Sequence, residues 1–278
     1  MSRGAATQIS REKAAELGRE TIAILKAGGY RAASGAWIDI SGPLAKAVRG
    51  TASYPPDNDV PAPPAGSMRT AISVENETTL SAARRLAADG SVAALNFASG
   101  TLPGGGFLSG ARAQEESLAR SSGLHACLAD NPMYEFHKAR RDAMYTDYVL
   151  YSPGVPVIRT DDGTLLDQPW LLSVITSPAV NRRALEEWAP GRIEEIRPAM
   201  SRRARKVLSV AAHHGQDRLV LGAWGCGAFG IDPALMAAVF HEQLTGPFEC
   251  VFKTVAFAIT DWSPEQQFIG PFRRQFEQ

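Results

Sequence analysis

The chain has 278 residues, 45% of them hydrophobic, which is enough to bury a substantial core in one large domain or two small ones. Its 29 Lys and Arg residues balance 29 Asp and Glu residues, so bulk charge does not favour nucleic-acid binding as the main task. The three cysteines, Cys127, Cys226 and Cys250, form no CxxC pair, which disfavours both a disulfide framework and a thiolate zinc site.

The sequence predicts a cytoplasmic protein. Scattered thiols are typical of a reducing compartment, and the first 20 residues lack the apolar stretch of a signal peptide. No apolar run approaches the ~20 residues that a membrane-spanning helix needs.

The N-terminal part is predicted to contain one helix and one short strand. Ser10 is a suitable cap for a helix that ends at Gly28 and Gly29, and "AWIDI" has the pattern of a strand. The proline-rich segment "SYPPDNDVPAPPAG" (residues 53–66) is typical of an irregular connection. We therefore expect an accessory region at residues 1–68, packed on a main domain at residues 69–278.

After this connection, short apolar strands alternate with helices. In chain order we predict strand TAISVE, helix ETTLSAARRLAAD capped by Thr78, strand SVAALNFA, helix AQEESLARSSGLHACL, strands DYVLYS, VPVIR and PWLLSVITSP, a charged helical region (182–213), strand DRLVLGAW, helix PALMAAVFHEQL, strand FKTVAFAIT and a partly helical tail. The alternation predicts an α/β fold with a mixed sheet between two layers of helices and a mainly helical N-terminal extension. Ligands in such folds bind at the carboxyl ends of the strands, where both glycine-rich segments of this chain lie.

The first glycine-rich segment is "NFASGTLPGGGFLSGARAQEE". Gly105 and Gly110 have the G-xxxx-G spacing of a P-loop, but Ala111 and Arg112 stand where lysine and serine or threonine belong, which excludes an NTPase. Small residues between a strand and a helix let backbone N–H groups approach a phosphate closely. A flexible turn is the simpler interpretation, but three consecutive glycines favour a phosphate-binding loop.

The second segment is "GAWGCGAFGID". Gly225, Gly227 and Gly230 match G-x-G-x-x-G, which alone is a weak signal for a dinucleotide site. Asp261 is a candidate for the acidic residue of such a site, but the residues after it are too few for the remaining units of that fold. We favour a second phosphate-binding loop that faces the first, with Phe229 either beside the ligand or packed in the core.

Glu115 and Glu116 follow the first loop at the predicted start of a helix. They project about 100° apart, so both reach a cleft only from the first turn, where the helix dipole stabilises their anions. Two solvated glutamates would be the ordinary interpretation of such a pair. Their position beside a phosphate-type loop instead favours glycosidic cleavage, in which a carboxyl group protonates the leaving oxygen.

The combination of "GGG", "QEE" and "GAWGCGAFG" resembles the signature of poly(ADP-ribose) glycohydrolases. The segments "SVENETTLSAARRL" and "NFASG" resemble the bacterial branch of that family, whose catalytic domain is a macrodomain, and the resemblance extends over roughly residues 71–261. It implies that Glu116 is the catalytic acid/base and that Glu115 binds hydroxyls of the distal ribose. The other implied ligand-binding residues are Asn96 at that ribose, Gln114 shaping the loop, Gly104, Gly105, Gly106, Gly225, Cys226, Gly227 and Ala228 at the diphosphate, and Phe229 at a ribose.

The same resemblance implies an enzyme that releases ADP-ribose from poly(ADP-ribose) without metal or cofactor. It implies ADP-ribosylated proteins as further partners, a place in the DNA damage response, and cleavage mainly at the polymer terminus. The triplet Gly104–Gly106 and the bulky Phe107 and Leu108 after it are the candidates for a wall that closes the cleft. His213 and His214 lack a third ligand at a suitable spacing, which disfavours a metal. A non-catalytic ADP-ribose-binding macrodomain and a nicotinamide-dependent oxidoreductase remain the alternatives.

Overall fold

The structure is a computed structural model that describes residues 9–63, 66 and 69–277. The helices are α1 (Arg11–Ala27), α2 (Ser41–Gly50), α3 (Thr79–Leu86), α4 (Gln114–Ser121), α5 (Leu124–Leu128), α6 (Pro132–Arg140), α7 (Arg182–Trp188), α8 (Ile196–His213), α9 (Pro233–Leu244) and α10 (Ile269–Phe276). The strands are β1 (Gly29–Arg31), β2 (Trp37–Asp39), β3 (Ala52–Tyr54), β4 (Ala71–Glu75), β5 (Ala93–Ala98), β6 (Val149–Arg159), β7 (Leu165–Pro178), β8 (Arg218–Leu221) and β9 (Thr254–Ala258).

A seven-stranded mixed sheet, in the order β3-β6-β7-β5-β8-β9-β4, forms the centre of the fold. Residues of α3, α4, α5 and α6 form one buried apolar cluster with the sheet, and residues of α8, α9 and α10 form another. The strands are consequently buried runs of aliphatic residues, as expected for a sheet covered by helices on both faces. The predicted α/β fold with a mixed sheet between helices is confirmed.

The parallel part of the sheet brings five loops to one edge. β5 pairs in parallel with both β7 and β8, and β9 pairs in parallel with β8 and β4. The first glycine-rich segment follows β5 and the second follows β8, its immediate neighbour. Two segments more than 100 residues apart in the chain therefore emerge side by side, at the edge where the sequence predicts a ligand site.

The N-terminal region combines a capped helix with a small hairpin. The side chain of Ser10 accepts a hydrogen bond from Lys13 N at 3.1 Å, and Gly28 ends α1 in the left-handed conformation with φ 73°, as predicted. β1 and β2 pair with each other, whereas β3 pairs antiparallel with β6 in the main sheet. The predicted boundary at residue 68, and part of the proline-rich connection, lie outside the described residues.

Two predicted elements differ from the structure. The single helix predicted for "AQEESLARSSGLHACL" is interrupted at Ser122, whose backbone is extended and forms a bridge with Val157, while Gly123 N donates to Pro156 O. Pairing with β6 therefore replaces one helical turn. The predicted strands "DYVLYS" and "VPVIR" form one continuous strand, β6, with an irregular register against β7. No helix among the described residues is long and apolar enough to cross a membrane.

Candidate active site

A cavity of about 350 Å³ opens at the carboxyl edge of the parallel strands. Loops after β4, β5, β7, β8 and β9 all contribute to it. Among its lining residues are Glu77, Thr79, Phe97, Ser99, Arg112, Gln114, Glu115, Glu116, Asp161, Gly225, Gly227, Ala228, Phe229, Thr260 and Phe268. The cavity therefore brings together both glutamates of the first glycine-rich segment and most of the second glycine-rich loop.

Gln114 holds the start of α4 against β5. Its Oε1 accepts from Phe97 N at 2.9 Å, and its Nε2 donates to Leu95 O at 2.8 Å and to Thr79 Oγ1 at 3.1 Å. Because its amide is bonded on both sides, Gln114 fixes where the two following glutamates begin. The role predicted for Gln114, shaping the ligand-binding loop, stays a prediction.

Glu115 is 4% exposed, and its Oε2 accepts from Ser99 N at 2.7 Å. Burial raises the pKa of Glu115 to about 8. The Ser99 N–H opposes that rise, the neighbouring Glu116 carboxylate adds to it, and Asn96 opposes it. This carboxyl group is therefore mainly protonated at neutral pH.

Glu116 is 8% exposed, and its Oε1 accepts from Gly106 N at 2.9 Å. Within the described residues, Oε2 of Glu116 and Oε1 of Glu115 have no hydrogen-bond partner. Each carboxyl group is thus held by one backbone N–H and keeps one oxygen available. Unpaired buried polar atoms are uncommon in native proteins, and each needs an explanation such as a bound ligand or water.

Gly105 explains why glycines and paired carboxylates share one segment. An ideal Cβ on Gly105 would lie 3.0 Å from Oε2 of Glu115 and 3.0 Å from Cδ of Glu116. Its φ of 58° is in the left-handed region, which glycine adopts without strain. A residue without a side chain is therefore needed for the backbone to pass beneath both carboxyl groups.

The backbone N–H groups of this triplet already have acceptors. Gly105 N donates to Leu102 O at 2.9 Å, and Gly106 N donates to Glu116. The predicted binding of a diphosphate by these two N–H groups stays a prediction, and it would require both bonds to be replaced.

The second loop is different, because part of its backbone is unpaired. Within the described part of the chain, the N–H groups of Gly227 and Ala228 have no acceptor, and both residues are exposed at the cavity. Cys226 N donates to Ala223 O at 3.1 Å. Burial raises the pKa of the Cys226 thiol, which is therefore neutral. Free N–H groups in a turn are suited to binding an anion.

Asn96 lies below the cavity rather than in its wall. It is fully buried in β5, its Nδ2 donates to Thr176 Oγ1 at 3.3 Å, and its Oδ1 has no partner among the described residues. Its influence on the pKa of Glu115 places it beside that carboxyl group. Phe229 is partly buried, lines the cavity and packs 6.2 Å from the ring of Tyr145, and its predicted contact with a ligand stays a prediction.

Sequence reasoning did not find several residues of the cavity. Asp161, in the loop between β6 and β7, accepts a hydrogen bond from Thr78 Oγ1 at 2.6 Å, and Phe268 lines the cavity near the end of β9. Asp161 lies in "RTDDGT", which has only the pattern of a turn. Phe268 lies in a tail without periodicity, so neither carried a recognisable signal.

Asp261 and His214, the candidates for a dinucleotide site and a metal site, bond to neighbouring parts of the protein. The carboxylate of Asp261 accepts from the N–H groups of Phe268 and Ile269 at 2.7 and 3.0 Å, so it caps α10. His214 hydrogen-bonds the hydroxyl of Tyr54 at 2.7 Å. No group of three or more metal-ligating side chains occurs among the described residues.

Residues 18–160 match the sequence model of a family described as "Microbial-type PARG, catalytic domain". The chain belongs to the microbial-type poly(ADP-ribose) glycohydrolase family. It is 47% identical to the poly(ADP-ribose) glycohydrolase (PARG) of Thermomonospora curvata, whose crystal structure matches with a TM-score of 0.90 over 95% of this chain and 100% of that chain. The complex of that enzyme with the inhibitor ADP-HPD matches with 47% identity and a TM-score of 0.88, with the same coverage.

The PARG of Deinococcus radiodurans, in complex with ADP-ribose, is 44% identical, with a TM-score of 0.81 over 84% of this chain and 97% of that chain. No curated protein gives a significant match. Family membership makes the chain a glycosidase of the PARG type, and it removes the support for a nicotinamide-dependent oxidoreductase. The antiparallel pairs of β6 with β3 and β7 also differ from the all-parallel order of a dinucleotide-binding fold.

Proposed function

We propose that Glu116 is the catalytic acid/base of this PARG and that Glu115 binds the distal ribose. The observation that carries the proposal is the buried pair itself, in which each carboxyl group is fixed by one N–H and keeps one free oxygen in a common cavity. Because burial raises the pKa of Glu115 to about 8, this carboxyl group keeps its proton at neutral pH and is able to donate a hydrogen bond to a ribose hydroxyl.

In the first half of the reaction, Glu116 gives a proton to the 2′ oxygen of the departing ADP-ribose unit as the C1″–O bond breaks, and the charge at C1″ is stabilised by the nearby diphosphate. In the second half, the Glu116 carboxylate takes a proton from a water molecule that attacks C1″, which restores the acid form of Glu116. Proton transfer of this kind contributes about 10²–10⁴-fold to an enzymatic rate.

The ligand is ADP-ribose at the end of a poly(ADP-ribose) chain. The free N–H groups of Gly227 and Ala228 are suited to the diphosphate, and Phe229 to the adjoining ribose. The complexes of the two bacterial relatives with ADP-ribose and ADP-HPD support this assignment. We further propose ADP-ribosylated proteins as partners, a role in the DNA damage response, a cytoplasmic location, and the division at residue 68 into accessory and catalytic parts.

Cleavage at the polymer terminus needs a cavity that is closed at one end. The prediction that Phe107 forms the wall is wrong, because Phe107 is 1% exposed and packs inside the protein. Two other contacts support closure: Thr78 bonds Asp161 across neighbouring loops, and Arg112 in the cavity wall donates to Ile9 O at 3.0 Å. We therefore propose mainly terminal cleavage.

Glu116→Gln tests the assignment. It keeps the shape of the side chain and removes the titrating proton, so release of ADP-ribose from automodified polymer should fall at least ~100-fold, while ADP-ribose affinity stays within about tenfold. The control is Glu135→Gln, an exposed glutamate of α6 paired with Lys138. Near-normal turnover in Glu116→Gln would refute the role, and unchanged binding of ADP-ribose with no cleavage by the wild type would favour a non-catalytic binding module.

A further inference from the structure

The N-terminal helix α1 packs directly against the segment that carries the glycine triplet and the two glutamates. Arg11 Nε donates to Ser109 O at 3.2 Å, just after the triplet. Thr21 Oγ1 donates to Arg120 O at 2.5 Å, in α4 itself. Thr21 is fully buried, so the second bond is shielded from water. The accessory region is therefore bonded to both ends of the segment that presents the carboxyl pair.

Gly18 makes the closest approach between α1 and this segment. An ideal Cβ on Gly18 would lie 2.8 Å from the backbone oxygen of Phe107 and 3.1 Å from its ring atom Cδ2. Gly18 lies in the interior of a regular helix, where alanine is the better helix former. The helical conformation therefore does not explain why this residue is a glycine. The close contact with Phe107, which leaves no room for a Cβ, does explain it.

Phe107 connects this contact to the triplet. Its ring packs 5.1 Å from the ring of His125, and an ideal Cβ on Gly104 would lie 3.2 Å from its Cδ1. The next residues of the triplet contact the carboxyl groups, because Gly105 passes beneath them and Gly106 donates to Glu116. A chain of close contacts therefore runs from α1 through Phe107 to the carboxyl pair.

We propose that Gly18 is a positioning residue for the carboxyl pair, acting through Phe107. Because Gly18 has no side chain, Phe107 packs closely against α1. The packed Phe107 in turn fixes the position of the glycine triplet beneath Glu115 and Glu116. The inference rests on the proposed roles of these two glutamates. It makes α1 part of the catalytic unit, although α1 contributes no side chain to the cavity lining.

Gly18→Ala is the direct test, with Gly42→Ala as its matched control. Gly42 lies in the first turn of α2, and a Cβ there would meet no atom within 4 Å. In Gly18→Ala the backbone of Phe107 must move, so kcat for ADP-ribose release should fall about tenfold or more, since displacements near 1 Å cost up to about 100-fold. KM should change less than kcat, and Gly42→Ala should match the wild type.

The pH profile separates positioning from simple loss of stability. A displaced triplet exposes the carboxyl pair to more water, and burial is the main cause of the raised pKa of Glu115. The basic limb of kcat/KM should therefore move to lower pH in Gly18→Ala. A smaller fraction of folded enzyme would lower the rate equally at every pH and leave the limb in place.

The inference would be overturned if folded Gly18→Ala kept both the kcat and the basic limb of the wild-type pH profile. It would also be overturned if kcat fell while the basic limb stayed at the same pH. If that variant does not fold, Thr21→Val removes the hydrogen bond to Arg120 O at nearly constant shape. A lower kcat with a shifted basic limb in Thr21→Val supports the inference, and a wild-type pH profile overturns it.

Glu116→Gln is measured in the same assays. An active Glu116→Gln refutes the proposed glutamate roles, whereas an inactive Glu116→Gln beside a normal Gly18→Ala refutes only the role of Gly18.

Discussion

Replacing Gly105 by alanine should disable the enzyme far more than it destabilises the fold. The added Cβ would lie 3.0 Å from Cδ of Glu116, whereas carbon atoms pack best at about 3.5–4.0 Å. Oε1 of Glu116 lies closer still to this Cβ, so the carboxyl group, or the loop beneath it, must retreat by about 1 Å. Misplacement by about 1 Å costs up to ~100-fold in rate, so kcat/KM for ADP-ribose release should fall about 30- to 100-fold.

The effect of this substitution on stability can be measured separately from its effect on activity. An alanine at φ 58° costs roughly 1–2 kcal/mol of stability. Gly35→Ala is the matched control, because Gly35 has φ 83° and a Cβ there would meet no atom within 4 Å. Both variants should lose similar unfolding free energy in urea, and only Gly105→Ala should lose activity on automodified polymer. Turnover of Gly105→Ala within about threefold of the control would refute the steric argument.

Three further predictions follow from the same site. Treatment with EDTA should leave ADP-ribose release unchanged, since the proposed chemistry uses carboxyl groups alone; activity lost to the chelator and restored by a divalent ion would contradict this. The pKa of Glu115, about 8, lies above the ~4.3 of an unfolded glutamate, so the stability gained from its protonated form is complete below that lower value and is lost as pH rises through about 8. Between about pH 5 and 9, the unfolding free energy of the wild type should therefore decrease by a few kcal/mol more than that of Glu115→Gln. Equal decreases in the two proteins would disprove the raised pKa of Glu115. On long polymer, free ADP-ribose should dominate the early products, whereas early free oligomers would show a cavity open at both ends.

The sequence predicts the position of the site because its evidence is local. A strand, a glycine-rich turn and a helix follow one another twice, and parallel strands necessarily end at one edge. The caps at Ser10, Thr78 and Gly28 are equally local, since each depends on one side chain or one φ value. These features can be predicted without information on contacts between residues that are far apart in the sequence.

The features missed by the sequence depend on tertiary contacts. The break in the helix at Ser122 comes from pairing with Val157, which lies 35 residues later. Asp161 lies in the turn before the amino end of β7, and its place in the cavity depends on tertiary contacts such as the hydrogen bond from Thr78 Oγ1. α6 went unpredicted, although Asn131 and Pro132 give it a regular N-terminal cap. A capping signal without a clear apolar stripe was too weak to indicate a helix.

The two glycine-rich loops look equivalent in sequence, but in the structure their backbone N–H groups have different hydrogen-bond partners. In the first, Gly105 and Gly106 give their N–H groups to protein acceptors, and the absence of side chains lets carboxyl groups lie against the backbone. In the second, Gly227 and Ala228 keep their N–H groups unpaired at the cavity, as far as the described residues extend. Glycine content alone cannot distinguish close packing from anion binding, because both require a bare backbone. The distinction comes from the neighbours, since only the first loop is followed by acids that need its N–H groups.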